Sequence, residues 1–130
     1  IRSEIWLKLI GNSSFNPLSV ITQTTLREIC ENTDTRSIIE NMMNEAILVG
    51  NELNIKAKLT IEKRIEGAKK VGDHKTSTLQ DFLNKRPLEL SALIKSLIEL
   101  GKITNINTPT INTVYRIAKV LAEKNGCSAG

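Results

Sequence analysis

The sequence has few cysteines, histidines and aromatic residues, and this scarcity excludes several classes of protein. Its 130 residues include two cysteines, one histidine, one tryptophan, one tyrosine and two phenylalanines. Cys30 and Cys127 do not fall at metal-ligand or CxxC spacing, so we expect reduced cytosolic thiols and a cytoplasmic protein. His74 has no companion at ligand spacing. We therefore predict no metal site and no catalytic histidine.

Long apolar runs, strand patterns and nucleotide-binding loops are also missing. No apolar run approaches the ~20 residues of a membrane span, and no secretory signal precedes the first helix. The seven glycines form neither GxGxxG nor GxxxxGK, so the chain has no phosphate loop of its own. The length suits a single domain over residues 1–130. The chain lacks an initiator Met, and we expect it to be a piece of a longer protein.

The charge is only mildly basic, with a net charge of +4 and a pI near 9.2. This excess suits an anionic ligand but is too small to predict nucleic-acid binding, and few aromatic residues are present for base stacking. Lysine and arginine cluster over residues 56–75, where Glu62 and Glu66 interrupt them at helical spacing. We interpret this stretch as a solvated helix face. A DNA-binding protein would need a basic recognition helix, for which this stretch is the only candidate.

Apolar residues recur at intervals of three and four through most of the chain, which predicts an all-α fold, a compact multi-helix bundle. After the first segment, the predicted helices cover about residues 25–31, 34–54, 59–72, 77–83, 87–101 and 109–121. Asn32, Thr33 and Asp34 form a cap cluster before the long helix, in which Asp34 or Thr33 is expected to accept from the first amides. Gly101 is expected to end its helix, and the tail from residue 124 should fray.

The segment WLKLIGNSSFNP, residues 6–17, breaks the pattern of an ordinary core helix. If it is helical, Lys8, Asn12 and Asn16 line one face over about 12 Å. Pro17 should kink or end the helix, because it has no N–H to donate and its ring crowds the carbonyl of Ser13. Such a row could bind a small oxygen-rich molecule. A solvated face is the alternative, and spacing alone favours it.

Two further polar residues, Ser77 and Glu89, could have a purely structural role at the start of a helix. Ser77 and Gln80 match a helix capping box, which occurs in many proteins. Arg86 to Glu89 resemble a helix entry, with Pro87 at the first position and Glu89 in the first turn, where the helix dipole favours an anion. Ser77 and Glu89 could therefore each stabilise the start of a helix without binding a ligand.

Three segments together resemble the C-terminal domain of ketopantoate reductases, also called 2-dehydropantoate 2-reductases. They are WLKLIGNSSFNPLSVIT near the start, HKTSTLQDFLNKRPLEL in the middle and INTPTINTVY near the end. They occur in the family's order with similar separation, and the similarity covers nearly the whole chain. The resemblance implies a two-domain enzyme in which a Rossmann domain, absent from this chain, binds NADPH.

The resemblance also implies site residues. The family's catalytic lysine falls on Lys8, its substrate-binding asparagines on Asn12 and Asn16, its serine on Ser77 and its acidic residue on Glu89. Lys8 would act as the general acid on ketopantoate, giving pantoate for pantothenate and coenzyme A synthesis. Glu89 would hold the substrate hydroxyl, the cofactor ribose or the lysine ammonium.

Two alternatives accompany this prediction. The parent enzyme could reduce another 2-keto acid, because related pockets differ in loops that one sequence does not reveal. The isolated chain could also be an inactive helical module that forms a homodimer through surface meant for its missing domain. We expect no membrane and no nucleic-acid partner.

Overall fold

Seven helices make up the part of the chain that the computed structural model describes, residues 3–56 and 60–130. In chain order they are α1 (Ser3–Thr22), α2 (Leu26–Glu31), α3 (Thr33–Glu52), α4 (Ile61–Val71), α5 (Ser77–Leu83), α6 (Ser91–Thr104) and α7 (Pro109–Lys124). Those residues contain no strand, so the all-α prediction is confirmed. The predicted helical residue Leu59 lies outside the described residues. No described helix has both the length and the apolar character needed to cross a bilayer.

Helix α1 lies at the centre and packs against α3, α5 and α7. Its apolar side chains are buried, with Trp6 and Phe15 among them. Of the two outcomes expected at Pro17, a kink or an end, the end is wrong, because the helix continues to Thr22. A proline inside a helix costs about 3 kcal/mol. Burial of Leu18 and Val20 on the following turn contributes about 1.5–3 kcal/mol each and offsets that cost.

The start of α3 is capped by Asn32. The expectation that Thr33 or Asp34 would be the cap is wrong. The Asn32 backbone is extended, with φ −81° and ψ 127°. Its Oδ1 can therefore fold over the helix and accept from the Asp34 and Thr35 amides at 2.9 and 3.2 Å. Thr33 is already helical, so its side chain comes one residue too late for this role.

Helix α7 begins at Pro109 as predicted, but Thr108 provides no side-chain cap. The cap comes from Glu45, a buried residue of α3. Its two carboxylate oxygens accept from the Thr110 and Ile111 amides, each at 3.0 Å. An anion at a helix N-terminus is favoured by both hydrogen bonding and the helix dipole. This contact fixes α7 against α3.

Helix α6 differs from its predicted bounds at both ends. It starts at Ser91, so Pro87 and Glu89 precede the helix and the predicted entry at residues 86–89 is wrong. It ends at Thr104, with Asn105 in the left-handed conformation at φ 61°. Gly101 lies inside the last turn, where an added Cβ would be 2.9 Å from the Ile106 carbonyl oxygen. That glycine permits close packing and does not end the helix.

The tail after α7 packs back on the molecule, so the prediction that it frays is wrong. Ala129 is buried, and its carbonyl accepts from the Leu90 and Ser91 amides at 3.2 and 2.9 Å. The Leu88 amide donates to the Ser128 carbonyl at 2.7 Å. The tail thereby supplies the acceptors that the start of α6 lacks in its own sequence.

Candidate active site

Two clefts meet along the polar face of α1. We call them the narrow cleft, of about 240 Å³, and the wide cleft, of about 680 Å³. Asn12, Asn16 and Ser77 line both. The narrow cleft also contacts Gly11, Phe15, Leu26, Arg64, Ala68, Val71 and Thr76. The wide cleft also contacts Thr78, Asp81, Leu88, Glu89, Ala92, Leu93 and Gly130.

Three serine hydroxyls next to the asparagine row bond to backbone carbonyls of the same helix. Ser13 and Ser14 are buried and both donate to the Ile10 carbonyl, at 3.2 and 2.8 Å. Ser19 donates to the Asn16 carbonyl at 2.8 Å. Within the described ranges, neither asparagine side chain takes part in a hydrogen bond with the protein. Their amides are therefore available to a ligand.

The neighbour of Ser77, Thr76, connects the start of α5 to α1. Ser19 Oγ lies 2.6 Å from Thr76 Oγ1, which ties the start of α5 to α1. Thr76 is also the N-cap of α5, because its hydroxyl accepts from the Leu79 amide at 3.0 Å. The predicted capping box on Ser77 and Gln80 is therefore wrong, and Gln80 Nε2 donates to the Lys75 carbonyl at 3.0 Å instead. The Ser77 hydroxyl is not needed to cap the helix.

Glu89 lines the wide cleft from the bend that precedes α6. Leu88 and Leu90 on either side are buried, and their amides are bound by the tail. Glu89 itself is exposed. Its predicted role in the first turn of a helix is ruled out by its position before α6.

Lys8 is the one predicted site residue that lines neither cleft. It is exposed, one turn before Asn12 on the same face of α1. The rise between the two residues is about 6 Å. In the described ranges no carboxylate lies within ion-pair distance of its ammonium. The lysine is therefore free to move at the N-terminal end of the row.

Arg64 is a cleft residue that the sequence analysis missed, because the basic stretch was interpreted as solvated. Its guanidinium is half-buried, with Cζ 5.6 Å from the centre of the Phe15 ring. Burial lowers the pKa of the Arg64 guanidinium, and the nearby Cys30 opposes that shift. A signal was available, since residues 61, 64, 65 and 68 form one helical stripe in which Arg64 is the only charged member.

Metal ligands are not assembled in the described part of the chain. No group of three histidine, cysteine, aspartate or glutamate side chains converges there. The chemistry available in the clefts is that of amides, hydroxyls, one guanidinium and carboxylates.

Comparison with known proteins identifies relatives of this chain. Residues 1–122 match the family described as ketopantoate reductase PanE/ApbA C terminal. A 2-dehydropantoate 2-reductase of Mesorhizobium japonicum is 45% identical over 98% of this chain, and the chain spans 39% of that relative's length.

Solved structures share the fold. A 2-dehydropantoate 2-reductase from Methylococcus capsulatus superposes with a TM-score of 0.86 at 26% identity, over 98% of this chain and 44% of that one. D-mandelate dehydrogenase, solved with NADH and anilino(oxo)acetate, superposes with a TM-score of 0.85 at 19% identity, over 97% of this chain and 42% of that one. The second likeness shows the fold alone.

Proposed function

The chain belongs to the family of ketopantoate reductase C-terminal domains, and we propose that it binds substrate in an enzyme that reduces ketopantoate to pantoate. The observation that carries the proposal is the meeting of Asn12, Asn16 and Ser77 at two clefts, where their side chains have no hydrogen-bond partner among residues 3–56 and 60–130. Polar groups that converge on a cleft without partners are typical of ligand sites.

Substrate binding falls to the amides and the hydroxyl. Asn12 and Asn16 can each donate and accept, which suits the hydroxyl and carbonyl oxygens of a 2-keto acid. The Ser77 hydroxyl can do either as well. Their contribution is to orient the ketone, because a fixed geometry removes much of the entropic barrier to reaction. Glu89, which only accepts when ionised, would bind a hydroxyl of the substrate or a ribose.

Lys8 is the proposed general acid. When the ketone carbon is reduced, negative charge develops on its oxygen, and an ammonium beside that oxygen stabilises the charge and gives up a proton. The exposed position of Lys8 is compatible with this role, since catalytic contacts commonly tighten only when substrate is bound. A ligand seated against Asn12 would lie one helical turn from the lysine.

NADPH, when bound, supplies the hydride. This sequence lacks a glycine-rich loop, and the wide cleft offers carboxylates rather than phosphate-binding groups. Glu89 fits a ribose hydroxyl only. We therefore propose that a Rossmann domain elsewhere in the full-length protein holds the cofactor. We also place the enzyme in the cytoplasm, where Cys30 and Cys127, both free, would stay reduced.

The test is a steady-state assay of the full-length reductase that contains this domain. NADPH oxidation is followed with ketopantoate, with phenylglyoxylate and with other 2-keto acids. The highest kcat/KM with ketopantoate supports the proposal. Higher kcat/KM with another 2-keto acid would keep the reaction type but move the enzyme out of pantothenate synthesis.

Self-association is a second candidate function, favoured by an apolar groove on the far side of α1. Leu18, Ile21, Ile38, Val114 and Ile117 line it, and Ile117 is 50% exposed. Contiguous apolar surface of this kind commonly lies at an interface. Light scattering of the purified chain should give the mass of a homodimer, and Ile117→Lys should give the monomer. A monomeric wild-type chain at high concentration would exclude this role.

A further inference from the structure

We propose that Arg64 binds the carboxylate of the substrate in the narrow cleft and so fixes which end of the molecule faces each cleft. The inference rests on the proposed function for the identity of the ligand. Its basis is the contrast in charge between the two clefts, which share Asn12, Asn16 and Ser77 as a common wall.

Arg64 stands out among the arginines of the described ranges because it is half-buried without a carboxylate partner. Arg27, Arg36 and Arg86 each pair with an acidic side chain at 3.0–3.7 Å. The residues outside the description, 1–2 and 57–59, include no acidic residue, so none of them could supply the missing partner. A guanidinium carries five N–H donors in a planar fork that matches a carboxylate.

The surroundings of Arg64 hold the guanidinium at the cleft. The Phe15 ring lies against one side of it, and Gly11 of α1 allows it to approach the helix backbone. A Cβ at Gly11 would contact Arg64 Nη2 and would lie 2.9 Å from Cζ. The side chain is therefore placed by packing, without an ion pair that a ligand would have to break.

The wide cleft has the opposite charge. Its titratable lining residues are Asp81 and Glu89. Asp81 is already bound by Arg86 Nε at 3.0 Å, which leaves Glu89 as the carboxylate side chain without an ion-pair partner among the described lining residues. A carboxylate would be repelled there and attracted to Arg64, whereas a hydroxyl can donate to Glu89. A 2-keto acid with a distal hydroxyl therefore lies with its carboxylate toward Arg64 and its hydroxyl toward Glu89.

The experiment is an NMR titration of the ¹⁵N-labelled 130-residue chain with pantoate, with its carboxamide and with lactate. The Arg64 Nε–Hε signal, identified by its loss in Arg64→Lys, should shift with both carboxylates but not with the amide. Arg64→Gln should weaken pantoate binding about tenfold or more, as expected for loss of a charge-assisted hydrogen bond, and should leave the amide unaffected. Arg116→Gln, which removes the same charge from an exposed site on α7, should change neither.

A second variant removes the position of the guanidinium but keeps its charge. Gly11→Ala should displace Arg64 and abolish the preference for acid over amide, with the melting temperature of each variant recorded as a check on folding. The proposal is overturned if the acid preference survives Arg64→Gln, or if no carboxylate shifts the Arg64 signal. A shift with lactate but none with pantoate would support the carboxylate site and contradict the assignment of ketopantoate.

Discussion

Polar side chains in the clefts along α1 and at the junction of α3 with α7 differ in whether they have hydrogen-bond partners. At the junction, both oxygens of the buried Glu45 carboxylate accept amide hydrogens at 3.0 Å. In the clefts, Asn12, Asn16 and Ser77 have no such partners in the part of the chain that is described. A buried polar group with full partners stabilises the fold, whereas converging groups without partners have their bonding capacity left for a ligand. Substitutions in the two regions should therefore separate stability from activity.

The largest effect is expected at Lys8. In the full-length reductase, Lys8→Ala should lower kcat by about 10²- to 10⁴-fold, equivalent to about 3–5 kcal/mol in the activation barrier, because a general acid is lost. The melting temperature should not change, since the residue is exposed. Lys124→Ala, an exposed lysine at the end of α7, is the control and should have normal turnover. Near-normal kcat in Lys8→Ala would remove the lysine from the mechanism.

The junction should show the reverse result. Glu45→Gln replaces one acceptor oxygen with a donor facing an amide N–H, and should lower the free energy of unfolding by about 2 kcal/mol. Chemical denaturation measures this loss, and KM for the keto acid should not move. Glu40→Gln on the same helix removes only an exposed ion pair and should cost less than about 0.5 kcal/mol. Equal losses in the two variants would contradict the capping role of Glu45.

Adjacent residues at the start of α5 should divide in the same way, with smaller effects. Ser77→Ala should raise KM about fivefold, from loss of one neutral hydrogen bond, at unchanged stability. Thr76→Ala should instead lower the free energy of unfolding by about 1 kcal/mol, because Thr76 is the helix cap. Denaturant titration measures the free energy of unfolding of each variant, and substrate titration measures its KM. If Ser77→Ala is the less stable variant, the serine is a structural residue after all.

The smallest effect concerns Cys30, a buried thiol that contacts the Ile65 carbonyl at 3.6 Å. Burial raises the pKa of the Cys30 thiol above its ordinary value of 9.0. The unfolded thiol therefore loses its proton first, and stability that is complete below about pH 9 is lost as pH rises toward the folded pKa.

This linkage can be isolated with Cys30→Ser, whose hydroxyl does not titrate in that range. Relative to the variant, the wild-type free energy of unfolding should fall above pH 9 by at most about 1.4 kcal/mol per pH unit. Parallel pH profiles for the two chains would show that the thiol does not contribute.

Much of the fold followed from residue patterns. Apolar spacing predicted α2, α3 and α7 closely, because the buried face of an amphipathic helix is visible in the spacing of its apolar residues. The end of α4 at Gly72 was also predicted. The failures were at helix ends. Residues 86–89 had the composition of a helix start, yet the Leu88 and Leu90 amides donate to the tail and the helix begins only at Ser91. Pro17 failed as a stop signal because buried neighbours outweigh its local cost.

The candidate site divides in a similar way. Asn12, Asn16, Ser77 and Glu89 were named from motifs, and the structure brings all four to the clefts. Lys8 lies outside them on the same helical face. Arg64 was not found, because the sequence analysis placed it with a charged surface and the ring that it packs on is 49 positions away in the chain.

The sequence by itself determined that the chain is helical, which faces of its helices are buried and which family it resembles, because these depend on periodicity and on short motifs. Only the tertiary structure decided that Glu45 caps α7, that the tail binds the start of α6 and that Arg64 lies in the cleft lined by Asn12 and Asn16. Each of these contacts joins residues more than 35 positions apart. Such contacts depend on how helices pack, and no local pattern encodes them.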